Sequence, residues 1–174
     1  MSRIIRDRIK RQLDEAEGFL MLNLPERSLE ILERRTEWAT MQFEASFLTG
    51  EALRSLGRFR DALGPLETAA KLRPGNSEVA IALGWCYKRT HRLAQAIDAL
   101  ERAARQNPQE ALVRYNLACY WSLAGNLARA LDELGAALAL DAALGALIAD
   151  ESDFDSLRGN AEFERLTSRR APLA

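Results

Sequence analysis

The feature that most constrains this chain is a spacing of 34 residues at which small side chains recur. Shifting the sequence by that spacing produces one column that contains only glycine and alanine, and another, twelve residues later, that contains only serine and alanine. The two columns are Ala16, Gly50, Gly84 and Ala118, and Ser28, Ala62, Ala96 and Ala130. A small side chain in the middle of a helix allows a second helix to pack closely against it. The repeat therefore predicts pairs of antiparallel helices.

Other residues keep the same register and mark where each helix begins and ends. Leucine recurs at Leu32, Leu66, Leu100 and Leu134, and alanine at Ala69, Ala103 and Ala137, with Arg35 in the first copy. The dipeptides between the two small columns are Gly57-Arg58, His91-Arg92 and Gly125-Asn126. They predict the turn at which the chain reverses within a pair. Pro25 suits the first turn of a helix, whereas Pro74 and Pro108 predict breaks between successive pairs.

This pattern resembles the tetratricopeptide repeat (TPR). The resemblance is most complete from Ser77 to Glu110, where the matching residues are Leu83, Gly84, Tyr87, Ala96, Leu100, Ala103 and Pro108. It implies an all-α fold, an α-α superhelix (TPR solenoid) of about four helix-turn-helix repeats plus a C-terminal capping helix. The expected repeats are residues 9–42, which diverge from the pattern, and residues 43–76, 77–110 and 111–144.

Residues 145–174 follow the last repeat and are predicted to form a C-terminal capping segment. An acidic link at residues 150–153 leads to Asn160, which can cap a final helix. That helix is predicted to run from Ala161 to about Arg169 and to cover the apolar face of the last repeat. Its apolar residues are Phe163 and Leu166. The segment resembles the tail of many bacterial TPR proteins, although proline is common where Ala161 stands.

Residues that carry chemistry are scarce, so the sequence predicts no enzyme, no cofactor, no catalytic residue and no metal site. His91 is the only histidine and falls in a predicted turn. Cys86 and Cys119 fall within predicted helices, where buried free thiols are expected. Two cysteines and one histidine leave a zinc site short of a ligand. A calcium loop beginning at Asp153 fails, because Leu157 and Arg158 stand where an oxygen ligand and a glycine are required.

Charge and hydropathy exclude other classes of partner. The net charge is −1, with 24 basic and 25 acidic side chains, so no nucleic-acid partner is expected. The most apolar segment, 134–149, contains Asp141 and is too short to span a bilayer, so no membrane insertion is expected. No secretory signal stands at the start of the sequence, which predicts a cytoplasmic location. Abundant alanine, and arginine in place of most lysine, indicates a bacterial gene.

The basic residues near the start of the sequence have two interpretations. They could dock on an acidic partner or a membrane surface. They could also form the solvated face of a first helix whose isoleucines turn inward, which is the interpretation we favour. The basic residues are Arg3, Arg6, Arg8, Lys10 and Arg11, and the inward residues would be Ile4, Ile5, Ile9 and Leu13.

The family resemblance implies that the first helix of each repeat lines an inner groove that binds peptides. On a helix that turns by about 100° per residue, the side opposite the packing residues forms this wall. The predicted groove residues are Phe47, Glu51, Arg54, Ile81, Trp85, Lys88, Tyr115, Cys119 and Ser122. Phe47, Trp85 and Tyr115 would either anchor a ligand or pack against neighbouring helices, and the sequence leaves both open.

These observations predict a non-enzymatic scaffold or adaptor whose partner is another protein or a peptide segment. The alternatives are a self-assembling structural TPR protein and a secretion-type chaperone that holds a client segment. A homo-oligomer is therefore left open at this point.

Overall fold

A computed structural model of the chain describes residues 3–34 and 41–168, and the regular structure within those ranges is helical, with no β-strand. The α-helices are α1 Arg3–Met21, α2 Pro25–Glu33, α3 Gln42–Ser55, α4 Phe59–Leu72, α5 Ser77–Arg89, α6 Leu93–Gln106, α7 Ala111–Leu123, α8 Leu127–Leu140 and α9 Ala161–Thr167. Two 3₁₀ helices, η1 Ala142–Leu147 and η2 Ser152–Leu157, lie between α8 and α9. The predicted all-α fold is confirmed. The chain divides into two compact units, Met1–His91 and Arg92–Ala174.

The backbone repeats with the same period as the sequence. Positive φ angles occur at Asn23 (57°), Gly57 (73°), His91 (62°) and Gly125 (76°). These positions are 34 residues apart, and each follows the first helix of a predicted pair. A left-handed residue just past a helix end reverses the chain and satisfies the last carbonyl groups. The predicted turns at residues 57, 91 and 125 are therefore confirmed, and Asn23 supplies the same turn in the first copy.

Three prolines mark helix boundaries that the sequence predicts. Pro25 is the first residue of α2. Pro74 lies between α4 and α5, and Pro108 lies between α6 and α7. Because proline fixes φ and lacks an N–H group, it suits the first turn of a helix and is disfavoured in the interior. Pro65, which lies inside α4, is an exception. The predicted roles of all three residues are confirmed.

In the first unit, α1 packs against α2 and α3, and α4 packs against both α3 and α5. Its core includes Ile9, Leu13, Ala16, Leu32, Ala45 and Leu48. The inward placement of Ile9 and Leu13 is confirmed, but that of Ile4 and Ile5 is wrong, since they are 80% and 38% exposed. Ile4 lies about 140° around the helix from Ile9, and Ile5 lies at the open first turn of α1. Arg35, the exception in the alanine column, lies outside the described residues.

In the second unit, α7 packs against α6 and α8, and the tail packs on both helices of the α7–α8 pair. Segment η2 lies on α7, whereas η1 and α9 lie on α8. The Asn160 side chain accepts hydrogen bonds from the N–H groups of Glu162 and Phe163, at 2.9 and 3.2 Å, and so caps α9. The predicted capping helix is confirmed, although the predicted end at Arg169 lies outside the described residues.

None of the helices within the described ranges combines the length and the apolarity that a membrane-spanning helix requires.

Candidate functional site

The predicted groove residues occupy three equivalent sets of helix positions. Each set contains residues separated by four and then three positions, on α3, α5 and α7, and the sets are 34 residues apart. Side chains at this spacing lie on one face of a helix. The structure thus places each set on a single helix face. Helices α3 and α5 are in contact within the first unit, so the first two sets lie on neighbouring helices.

The set on α5 presents an exposed tryptophan. Trp85 is 39% exposed, although Gly84 and Cys86 on either side of it are buried. Ile81 and Lys88, one turn before and after it, are half-buried. The Lys88 ammonium lies 5.4 Å from the centroid of the Trp85 ring, a cation–π distance. This part of α5 therefore offers an aromatic ring next to an aliphatic and a cationic side chain.

The set on α3 is half-buried and internally paired. Phe47 stacks on Phe43, with 6.1 Å between ring centroids and 12° between the ring planes. Arg54 donates two hydrogen bonds of 2.8 Å to the carboxylate of Glu51. This bonding raises the pKa of Arg54, so the guanidinium stays charged. Burial raises the pKa of the Cys86 thiol to about 11, which disfavours its reactive thiolate form.

The set on α7 is not open to a partner, which corrects the groove prediction for these three residues. Tyr115, Cys119 and Ser122 are only 5%, 2% and 2% exposed. The Tyr115 ring meets the edge of Phe154 of η2, with centroids 5.7 Å apart and planes at 87°. The hydroxyl oxygens of Ser122 and Ser156 lie 2.9 Å apart, at hydrogen-bond distance. The chain's own tail covers this wall, because the apolar face of the last repeat has to be buried.

The tail also assembles a cluster that the sequence did not predict. Single ligand atoms of Cys119, Glu151 and Asp153 all lie within 4.8 Å of one another. The hydroxyl of Tyr115 is buried and has no hydrogen-bond partner among the described residues. Burial raises the pKa of Tyr115, and the charges of Cys119, Glu151 and Asp153 raise it further. The sequence contains no signal that the acidic link folds back onto α7, so it gave no reason to group these residues.

A second surface that sequence reasoning missed lies between α6 and α7. It is a shallow depression of about 470 Å³, lined by Leu93, Ala94, Ile97, Asp98, Glu101, Trp121 and Ala124. The Trp121 ring lies beneath the Arg129 guanidinium, 4.2 Å from the centroid. Arg129 is also paired with Glu101 at 2.7 Å. This surface is mostly apolar, but its charged groups are already paired within the second unit.

The comparisons with known proteins agree with the helix-pair architecture. A family model described as a tetratricopeptide repeat matches residues 53–118. MamA from Desulfovibrio magneticus RS-1, taken from its residue 41 to its end, is 20% identical, with a TM-score of 0.69 over 92% of this chain and 93% of that chain. MamA AMB-1 is 19% identical, with a TM-score of 0.71 over 97% of this chain and 95% of that chain.

A third solved structure, YrrB, is described as a TPR protein with an unusual peptide-binding site. It is 17% identical, with a TM-score of 0.70 over 89% of this chain and 80% of that chain. No curated protein matches the chain at a significant level. At these identities the solved structures establish a shared fold. Residues 53–118 therefore match the tetratricopeptide-repeat family, and the wider chain shares the helix-pair fold of the solved structures.

Proposed function

We propose that this chain is a non-enzymatic scaffold that holds a segment of another protein against the wall formed by α3 and α5. We call this surface the α3–α5 wall, and its residues are Phe47, Glu51, Arg54, Ile81, Trp85 and Lys88. The observation that carries the proposal is the 39% exposure of Trp85 on a helix whose neighbouring residues are buried. Large exposed aromatic side chains beside apolar neighbours are typical of protein-binding surfaces.

The chemistry of the α3–α5 wall favours a ligand segment with apolar anchors and few charges. Trp85 and Ile81 provide apolar contact area, and Lys88 adds one cation beside them. Arg54 and Glu51 largely satisfy each other through their paired hydrogen bonds. A polyanion would therefore meet little unpaired positive charge here. YrrB, which shares this fold, has a peptide-binding site, and this supports the same class of ligand.

We propose further properties of the chain that are consistent with this scaffold role. Its family and its sparse set of reactive residues support the absence of enzymatic activity and of a required cofactor. The near-neutral net charge supports a protein partner over a nucleic acid. We propose a cytoplasmic location in a bacterium for the same protein. The proposed repeats are residues 9–42, 43–76, 77–110 and 111–144, followed by a capping segment at 145–174.

Two alternatives remain distinct from this scaffold. A self-assembling TPR protein would bind a second copy of the chain at the same wall. A secretion-type chaperone would bind a client only before the client folds. Both would use the exposed Trp85, so they differ from the scaffold in the occupant rather than in the site.

The test is affinity capture from the native lysate, followed by measurement of the dissociation constant for the captured partner. A buried interface tryptophan contributes about 2 kcal/mol or more, so Trp85→Ala should weaken binding at least roughly thirtyfold. Leu72→Ala is the matched control, because Leu72 is 45% exposed on α4 rather than on the wall. Trp121→Ala controls for the loss of a tryptophan elsewhere.

The circular dichroism spectrum of Trp85→Ala should match that of the wild type, because an exposed side chain contributes little to the fold. Unchanged binding by folded Trp85→Ala would overturn the proposed wall. Equal losses in Leu72→Ala and Trp85→Ala would contradict it as well.

A further inference from the structure

Three side chains with metal-ligating atoms meet where the tail folds onto α7. Cys119 is on α7, Glu151 directly precedes η2, and Asp153 is in the first turn of η2. One ligand atom from each lies within 4.8 Å of the other two. Zinc ligands at 2.0–2.3 Å from a tetrahedral ion are separated from one another by roughly 3–4 Å. The three atoms therefore need only small movements to reach a common ion.

A buried hydroxyl beside this cluster is a second and independent indication of a ligand. Tyr115 lies one turn before Cys119 on the same face of α7 and is only 5% exposed. Its hydroxyl has no hydrogen-bond partner within the described part of the chain. The Tyr115 ring meets Phe154, the residue directly after Asp153, so this side chain lies against the same segment as the cluster. A polar group this deeply buried ordinarily has a partner, so an orphaned hydroxyl here points to an occupant of the cluster.

We propose that Cys119, Glu151 and Asp153 bind one divalent ion of the zinc type between α7 and η2. A thiolate with two carboxylates suits zinc or cobalt, whereas calcium and magnesium prefer sites made entirely of oxygen ligands. Three protein ligands leave a fourth position for water. A water molecule bound there would be a hydrogen-bond partner for the Tyr115 hydroxyl.

The ion would also hold these side chains together. A dication attracts both carboxylates and the thiolate that forms when the ion binds. On binding, the Cys119 thiol loses its proton to the solvent and forms the sulfur–metal bond. Counting only cysteine and histidine in the sequence could not identify this site, because two of its ligands are acidic residues of the tail.

The experiment uses the full chain, stripped with a chelator and titrated with Co²⁺ as a spectroscopic probe. We expect one ion per chain and a thiolate-to-cobalt charge-transfer band in the near ultraviolet, which Zn²⁺ then displaces. Cys119→Ala should lose the band. Glu151→Gln and Asp153→Asn should weaken binding at least about tenfold, as changes around metal sites commonly do. Cys86→Ala is the matched control, because it removes the other buried thiol and should leave the spectrum unchanged.

Glu151 is only half-buried, so Glu151→Gln should remain folded and keeps the test interpretable if Cys119→Ala does not fold. Absence of stoichiometric binding by the wild type would overturn the proposal. The same conclusion would follow if folded Glu151→Gln and Asp153→Asn both bound as tightly as the wild type. Equal loss of the band in Cys86→Ala would also assign the ion elsewhere.

Discussion

Gly50 is the residue at which the close packing of a helix pair is most directly visible. A Cβ atom built on Gly50 would lie 2.5 Å from both Cγ and Cδ2 of Leu66, which is fully buried. Helix α3 can therefore approach α4 only because this position lacks a side chain. Gly18, in α1, differs in this respect, because a Cβ atom there meets nothing within 4 Å.

These two glycines give a matched pair of substitutions. Gly50→Ala should destabilise the protein by about 1–3 kcal/mol, because the buried Leu66 must move to admit the methyl group. Gly18→Ala should stabilise it by about 0.5–1 kcal/mol, because alanine favours a helix interior over glycine and no neighbouring side chain has to move. Urea unfolding followed by circular dichroism measures both. Equal effects of the two changes would contradict the assigned contact.

His91 occupies a backbone position that glycine holds in the two neighbouring copies. Its φ angle of 62° matches those of Gly57 and Gly125. A left-handed conformation costs a residue with a Cβ atom about 1 kcal/mol. His91→Gly should therefore raise the free energy of unfolding by up to about 1 kcal/mol, whereas His91→Ala should not. A thermal midpoint of His91→Gly no higher than that of His91→Ala would argue against backbone strain at this turn.

At the residue scale, the sequence predicts well which small residues lie at helix contacts. It predicts poorly whether an aromatic side chain is exposed or buried. The spacing of Gly50 and Ala62 requires two helices to approach each other, and this requirement is local to one pair. Trp85 and Tyr115 both fall on predicted groove faces, yet the first is exposed and the second buried. The difference comes from Phe154, which is far away in sequence, so no local pattern could reveal it.

Among the elements, η2 covers the face of α7 that contains Tyr115 and Ser122. Phe154 and Leu157 are both fully buried, and Phe154 contacts the rings of Tyr115 and Phe163. Removing a buried phenylalanine leaves a cavity and commonly costs about 3–5 kcal/mol. Segment η2 is therefore a structural part of the second unit rather than a loosely held lid.

Phe154→Ala should lower the free energy of unfolding by about 3–5 kcal/mol and expose Cys119 to modification. Alkylation of each cysteine, followed by mass spectrometry under native conditions, measures the effect. Cys86 is the internal control, since burial raises its pKa to about 11 and it lies in the other unit.

Ser156→Ala, on the exposed side of η2, removes the hydroxyl opposite Ser122 and should cost about 1 kcal/mol. Comparable alkylation of Cys119 in Ser156→Ala and Phe154→Ala would contradict the role assigned to the buried ring.

In the C-terminal tail, the sequence pattern predicts some elements and not others. Asn160 predicted the start of α9, because a capping side chain acts within its own turn. The two 3₁₀ helices were not predicted, since their residues have neither a helical nor a strand-like period. The cluster of Cys119 and Glu151 depends on the path of this irregular segment, which only the folded chain specifies.

For the whole molecule, the state of association separates the proposed scaffold from its self-assembling alternative. The scaffold proposal places a different protein, and not a second copy of the chain, on the α3–α5 wall, so it predicts a single chain in solution. Light scattering should therefore give 19.4 kDa over a wide range of concentrations. If the mass rises with concentration and Trp85→Ala abolishes that rise, the occupant of the α3–α5 wall is a second copy. The scaffold proposal would then be wrong while the location of the site would stand.

The contact between η2 and α7 also sets a rule for how a chain of this kind can lengthen. Tyr115 contacts Phe154 and Ser122 contacts Ser156, so helix α7 has to remain the neighbour of the tail. An additional 34-residue unit inserted ahead of residue 77 would leave these contacts between α7 and η2 intact. The same unit inserted between residues 140 and 152 would separate the two halves of the contact and leave an aromatic face exposed. Duplication is therefore tolerated upstream and penalised at the C-terminal end, so new binding positions have to arise upstream of the terminal helix pair.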